Sequence, residues 1–353
     1  MNRRSNPLLF VLLLTVLTII GTPPTGLAAQ PAITAETADL VGAGATFPAP
    51  LYQRWIREFA RASDAFTIFY DAIGSGDGID RFMAEKVDFG ASDAAMRDEQ
   101  IARVARGVKL IPATAGIIAL AYHLPGSGAL RLSREVYSDI FLGKIRSWDD
   151  PRIQALNPDR RLPKLTIVTI TRSDASGTTW AFTNHLNAVS ESWRNVGPGV
   201  GKKIDWPANS MSSRYNEGVA ARIKYSQGSI GYVEYGIAKR SGLSMASLEN
   251  RAGDYVTPSD TSGTVTLANT SVRMPPNLRL FIPDPDGRNS YPIVTYTWLL
   301  VYRTYADPDK ADKVKRFLRW GLSEGQKFAP EYGYAPLPQP VAALALDALA
   351  DVR

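Results

Sequence analysis

Three times along this chain a short apolar run enters a loop of Gly, Ser and Thr, and each loop opens into a segment with apolar residues at helical spacing. Leu40 and Val41 lead through Gly42-Ala43-Gly44-Ala45-Thr46-Phe47-Pro48 to a helix that buries Leu51, Tyr52, Trp55, Ile56 and Phe59 while Arg54, Arg57, Glu58 and Arg61 face water. Thr67 to Tyr70 lead through Ile73-Gly74-Ser75-Gly76-Asp77-Gly78 to a helix carrying Ile79, Phe82 and Met83, and Val87 to Asp93 return as a strand. Leu165 to Thr171 lead through Arg172-Ser173-Asp174-Ala175-Ser176-Gly177-Thr178-Thr179 to a helix through Trp180, Phe182 and Leu186. Strand, loop and helix in alternation predict an α/β chain.

At 353 residues the chain exceeds one ordinary core, and a prior of roughly 150 residues per domain predicts two lobes. The apolar run Ile117 to His123 ends at Leu124-Pro125-Gly126, a natural exit from the first lobe. Ile293 to Val301 reads as a buried strand that crosses back, and residues 251–290 before it look rich in loops. The expected arrangement is an inserted lobe, 121–290, inside a lobe built from 38–120 and 291–353. Helices over Ala311 to Leu322 and Val341 to Leu349 close the first lobe. A hinge is expected where the chain crosses, near 120–125 and 288–294.

Arg3 and Arg4 precede an apolar stretch from Leu8 to Ile20, and small residues follow at Gly26-Leu27-Ala28-Ala29. This pattern predicts a cleaved signal peptide over 1–29. Thirteen residues of helix span only about 20 Å, short of a bilayer core. A mobile linker is expected over 30–37, and the absence of Cys predicts no lipid anchor, hence a periplasmic product. Those two arginines supply two of the six net positive charges, and the remaining Lys and Arg form no run of five or more. Nucleic acid is therefore not an expected partner. Zero Cys, and only His123 and His185 with no metal-binding spacing around either, predict no metal site and no cofactor.

The three loops place backbone N–H groups at helix starts, where unpaired donors and the helix dipole favour an anion. Hydroxyls of Thr46, Ser75, Ser176 and Thr178 add donors, and Arg172 adds a fork suited to a tetrahedral oxyanion. Taken singly, each loop reads as well as a turn that caps its helix. Two other patterns lead nowhere. Asp88-Phe89-Gly90 copies a kinase tripeptide without the catalytic loop, and Gly197 to Lys203 approximates a phosphate loop with the wrong glycine spacing, so it is expected to be a surface loop.

Gly42-Ala43-Gly44-Ala45-Thr46-Phe47-Pro48-Ala49-Pro50, Asp88-Phe89-Gly90-Ala91-Ser92-Asp93, Leu142-Gly143-Lys144-Ile145 and Gly228-Ser229-Ile230-Gly231-Tyr232-Val233-Glu234-Tyr235, in that order, resemble the substrate-binding proteins of phosphate-specific ABC transporters, the PstS family. The resemblance spans about residues 39–340. It implies a two-lobe type II periplasmic-binding-protein fold with inorganic phosphate in the interlobe cleft, no enzymatic activity, and a membrane permease and ATPase as partners of a monomer. Carried over position by position, it implies ligands at Thr46, Phe47, Ser75, Asp93, Arg172, Ser176, Gly177 and Thr178, with Asp174 pairing the arginine. Asp77 and Ala175 stand where the family often has Gly; Asp77 is expected to point outward as a helix N-cap, and Ala175 to need an ordinary backbone conformation. Asp93 reads as a selector, because phosphate can donate a proton to a carboxylate and sulfate cannot. The alternatives are an extracytoplasmic phosphatase using the same cradle, which needs a base or metal beside Ser176 or Thr178, and a receptor for another oxyanion.

Overall fold

The first loop-helix unit forms as its apolar spacing predicts. The computed structural model describes residues 33–353 apart from 63–65, 208 and 272, so the expected signal peptide lies outside the described residues. Of the expected linker, Ile33 to Thr37 are exposed and close one turn through Thr34 and Thr37. Helix α1, Ala49–Ala62, buries Leu51, Tyr52, Trp55 and Phe59. Pro50 lies in its first turn, where a missing N–H removes no helical bond. Trp55 is fully buried and its indole N–H donates to the Gly325 carbonyl at 2.8 Å, tying α1 to the C-terminal part of the chain.

One mixed sheet runs through the protein. Strand β1 (Leu40–Gly44) pairs in parallel with β2 (Ile68–Ala72) on one side and β3 (Phe89–Ser92) on the other. A return strand, Val294–Tyr302, lies antiparallel between β3 and the long strand β4, Val108–Tyr122. Strand β4 changes partners midway: Val108 to Ile117 pair with the return strand, and Ile118 to Tyr122 pair antiparallel with Ser229–Glu234. That strand runs parallel to Val168–Arg172, which in turn carries Ser210–Ser213. Where the two crossings meet, the Ile118 N–H donates to the Ile293 carbonyl at 2.9 Å. All nine residues of the return strand are buried, which explains a run that is apolar or aromatic except at Thr295 and Thr297.

The ladder between β4 and the return strand skips at Thr297/Trp298. Pro112 faces Trp298 there and Thr114 faces Thr297, leaving Ala113 as the extra residue of a bulge. A proline cannot donate to the ladder, so the sheet breaks register beside it. The freed Ala113 carbonyl accepts from the Gln326 side chain at 2.9 Å.

The closing helices are Pro308–Leu322 and Gln339–Ala350, over both expected segments. The stretch 251–290 is less loop-rich than its composition implies, since Asp260–Ser271 is a twelve-residue helix. Its Ser, Thr, Gly and Asn content disfavours a helix, but hydroxyls of Thr264, Thr266 and Thr270 bond back to carbonyls one turn earlier. Leu142-Gly143-Lys144-Ile145 is a helix stop: Gly143 is left-handed at φ 70° and the Lys144 N–H donates to the Asp139 carbonyl. Among the described residues no helix is long and apolar enough to cross a membrane.

Candidate functional site

Loops at the carboxyl ends of strands from both halves of the sheet converge at its middle, where a ligand usually sits in an open α/β sheet: β1, β2 and β3 run parallel to one another, and Val168–Arg172 runs in the opposite sense. After β1 come Thr46 and Phe47, after β2 comes Ser75, after β3 comes Asp93, and after Val168–Arg172 come Asp174, Ser176, Gly177 and Thr178. Seven of these are buried residues of the site, and Gly177 is enclosed with them.

The first loop is shaped by close backbone packing. A Cβ on Gly44, held at φ 147°, would meet the Ala91 carbonyl oxygen at 2.1 Å, and one on Gly78 would meet the Gly44 Cα at 2.3 Å. Helix α2, Ser75–Met83, can therefore lie directly against β1. The tyrosine hydroxyls of Tyr70 and Tyr334 donate to the carbonyls of Ala45 and Phe47 at 2.7 and 2.5 Å, fixing the loop on both sides of Thr46. Phe47 has only its backbone to offer to the site, because its ring is fully buried beside Tyr334.

Asp93 is held from three directions. Thr295 and Thr297, two apart and so on one face of the return strand, donate to its carbonyl oxygen at 3.3 Å and its Oδ1 at 2.9 Å. Its N–H donates to Ser75 Oγ at 3.2 Å, and Thr178 Oγ1 lies 3.5 Å from Oδ2. Burial pushes the Asp93 carboxyl up to about 7, against the Thr297 hydrogen bond, the Arg172 charge, the Thr178 hydroxyl and the Lys202 charge, which pull it down.

Arg172 pairs with Asp174 through two parallel bonds, Nε to Oδ1 at 2.8 Å and Nη2 to Oδ2, and both side chains are buried. Burial raises the Asp174 carboxyl, but the Arg172 bonds and charge and the Tyr215 N–H outweigh it, so the group sits below its ordinary value. Arg172 Nη1 is buried and has no hydrogen-bond partner. A desolvated guanidinium N–H left unpaired is costly, which marks the place where an acceptor belongs. The Arg172 backbone is fixed by Tyr232, whose hydroxyl takes the Arg172 N–H at 3.1 Å and bonds Thr179 at 2.7 Å.

The loop after Arg172 closes against the other half of the sheet. The Gly76 N–H donates to the Ala175 carbonyl at 2.8 Å, and Ala175 is not among the residues with positive φ. A Cβ on Gly177 would fall 2.4 Å from Ser75 Oγ and 2.8 Å from Asp93 Cβ. Ser176 caps the helix Gly177–Val189 by accepting the Thr179 N–H at 3.1 Å. The first N–H groups of that helix have no carbonyl one turn back.

Asp77 is exposed, as expected, but it is not the cap: α2 begins at Ser75 with Gly74 at the N-cap, and Asp77 sits in the first turn, where its charge suits the helix dipole. The loop Gly197 to Lys203 is not merely surface. The Lys202 carbonyl accepts the Ser176 N–H at 2.8 Å, and its side chain lines a cleft of about 600 Å³ with Gly76, Ala94, Arg97 and Trp180. Burial lowers the Lys202 ammonium to about 8, with the Arg97 charge adding and Asp80 and Asp93 opposing. Asp88 is structural, accepting the Val41 N–H at 2.8 Å and the Lys310 ammonium at 2.9 Å. His185 is bonded to the Pro283 carbonyl at 2.6 Å and the Tyr137 hydroxyl at 2.8 Å, and burial lowers it to about 3. Among the described residues no three His, Cys, Asp or Glu gather as a metal site would require.

The arrangement is a buried cluster of hydroxyl and backbone donors with the unpartnered Arg172 Nη1 and two carboxylates, Asp93 and the Arg172-paired Asp174. Comparison with known proteins gives the family. A family model described as a PBP superfamily domain matches residues 29–324. The chain is 37% identical over 312 residues to the phosphate-binding protein PstS of Pasteurella multocida, covering 88% of this chain and 89% of that one. It is 36% identical over 331 residues to PstS of Methanocaldococcus jannaschii, covering 87% and 84%. Among solved structures, a high-affinity periplasmic phosphate-binding protein bound with phosphate superposes with a TM-score of 0.71 at 20% identity, covering 86% of this chain and 92% of the other. The fold is the two-lobe periplasmic-binding-protein fold, and the chain belongs to the PstS family of phosphate-binding proteins within the PBP superfamily.

Proposed function

We propose that the protein captures inorganic phosphate in the cleft between two lobes, 38–120 with 291–353 and 121–290, and delivers it to the permease and ATPase of an ABC importer. It works as a monomer in the periplasm after loss of residues 1–29. Phosphate meets the helix-start N–H groups and hydroxyls of Thr46, Phe47, Ser75, Ser176, Gly177 and Thr178, the Arg172 fork and the Asp93 carboxylate. The observation that carries this reading is the buried, unpartnered Arg172 Nη1 among those donors. The relatives are named as binding proteins, which supports a receptor without catalytic turnover. A phosphatase lacks support, since His185 is committed to Tyr137 and Pro283.

The halves touch across the site, at Gly177 against Ser75 and at Gly76 against Ala175. On this reading the contact is made on closure, with the hinge where β4 and the return strand cross. Small-angle scattering on the mature chain is expected to show a smaller radius of gyration with saturating phosphate and no change with sulfate. An unchanged radius with binding confirmed in parallel rules out closure. Gly177→Ala probes the same contact, because its Cβ has no room in the closed form. Phosphate affinity is expected to fall by about tenfold or more with the ligand-free thermal midpoint held, about 1.4 kcal/mol or more against closure. Wild-type affinity in that variant contradicts the tight approach.

A further inference from the structure

Asn216 was not legible as part of the site, yet its side chain joins both sides of it. It is fully buried at the start of the helix Tyr215–Tyr225. Its Oδ1 accepts the Glu234 N–H at 3.1 Å. A backbone N–H can only donate, so the amide has one orientation, with its NH₂ toward Thr46 Oγ1 at 3.0 Å and Thr178 Oγ1 at 3.3 Å. The Asn216 backbone N–H also points at Thr46 Oγ1, at 3.4 Å. Thr46 Oγ1 thus takes two donors. Both of its lone pairs are engaged, and what it has left to offer is its proton. Thr178 Oγ1 takes one donor, and the acceptor already beside it is Asp93 Oδ2 at a long 3.5 Å.

A hydroxyl on its own donates or accepts with equal ease, whereas a pocket for an oxyanion needs donors. We infer that Asn216 is a positioning residue that fixes the hydroxyl of Thr178, and on closure that of Thr46, as donors to the bound anion. Thr46 follows β1 and Asn216 belongs to the inserted half, so the bonds to Thr46 exist only while the halves meet, whereas the bond to Thr178 lies within the inserted half. In an opened form Thr46 is free to rotate and to accept from water. Closure therefore sets the polarity of the pocket as well as its shape. Glu234, in the Gly-Tyr-Val-Glu segment, takes part by presenting the N–H that orients the amide. This inference rests on the phosphate-cleft reading above.

The test is a cycle of calorimetric titrations with inorganic phosphate on the mature protein, Asn216→Ala, the pair Thr46→Val/Thr178→Val, and the three changes combined. Asn216→Ala is expected to weaken binding about tenfold or more, and the threonine pair to weaken it as well. Adding Asn216→Ala to the pair is expected to change affinity less than about threefold, since no hydroxyl remains to be oriented. Full additivity, or Asn216→Ala within about twofold of wild type, overturns the inference. A threonine pair that binds like wild type overturns the cleft reading itself, and with it this inference, so the two failures are distinguishable. Circular dichroism and thermal melts report whether Asn216→Ala folds. Where it does not, Asn216→Asp keeps the shape and the acceptor for Glu234 but turns the donor toward the hydroxyls into an acceptor. Unimpaired phosphate binding by Asn216→Asp overturns the inference equally.

Discussion

Arg172→Ala is expected to lower phosphate affinity roughly a hundredfold, about 2.7 kcal/mol, and to destabilise the protein as well. The affinity loss has two sources. A charge-assisted hydrogen bond of this kind contributes about 1.5–3 kcal/mol, and its removal uncovers the Asp174 carboxylate toward an anion. The stability loss comes from the same uncovering. Arg172 and Asp174 are both buried, and removing one member of a buried pair typically costs about 3–5 kcal/mol because the other charge is left without a partner. The Tyr215 N–H, 3.0 Å from Asp174 Oδ1, offsets part of that. The double variant Arg172→Ala/Asp174→Asn separates the two effects. Its thermal midpoint is expected to return most of the way to wild type while phosphate affinity stays low. If affinity returns along with stability, Arg172 serves only to mask Asp174 and does not hold the ligand.

Asp93→Asn is expected to raise the sulfate-to-phosphate affinity ratio at least about tenfold at pH 8, a difference of about 1.4 kcal/mol. Phosphate and Asp93 can share a proton. Sulfate brings none, so above pH 7 it meets an ionised, buried carboxylate whose own surroundings already raise its carboxyl to about 7. Asparagine is neutral and can donate, which removes the penalty. The raised value adds a pH signature. Below about 7 the wild-type carboxyl is protonated and can donate, so sulfate exclusion is expected to weaken between pH 8 and 5.5 in wild type and to change little in Asp93→Asn. Stability carries the same sign. A carboxyl raised from 3.8 to about 7 on folding contributes stability that is full below the lower value and lost as pH rises through the higher one. The ligand-free thermal midpoint of Asp93→Asn relative to wild type is therefore expected to increase from pH 5 to pH 8. A flat difference, with an unchanged anion ratio, removes Asp93 as the selector.

What the sequence made legible were local things. The loops with their following helices, the Arg172-x-Asp174 pair, and Asp93 at the end of an apolar strand are each readable within a few residues, because helix starts and strand ends constrain residue types locally. The groups that aim these side chains come from far along the chain and carry no local mark. Thr297 reaches Asp93 across 204 positions, Asn216 reaches Thr46 across 170, and the Tyr334 hydroxyl reaches the Phe47 carbonyl across 287. Each looks alone like an ordinary strand or helix residue. Lys202 escapes a motif reading because its loop fails as a phosphate loop, although a lysine among glycines can line a cleft without that motif. The helix Asp260–Ser271 is hidden for the opposite reason, since its own residues argue against a helix, although their hydroxyls find acceptors within it at carbonyls one turn back.

The central claim is a phosphate receptor that discriminates by proton. Isothermal titration of the mature chain at pH 8, first with sulfate and then with phosphate in the same cell, tests it most directly. The account predicts no heat of binding from sulfate at concentrations that saturate with phosphate, followed by a single-site phosphate isotherm unchanged by the sulfate present. Absence of phosphate binding, or sulfate competing within about tenfold of phosphate, would contradict it.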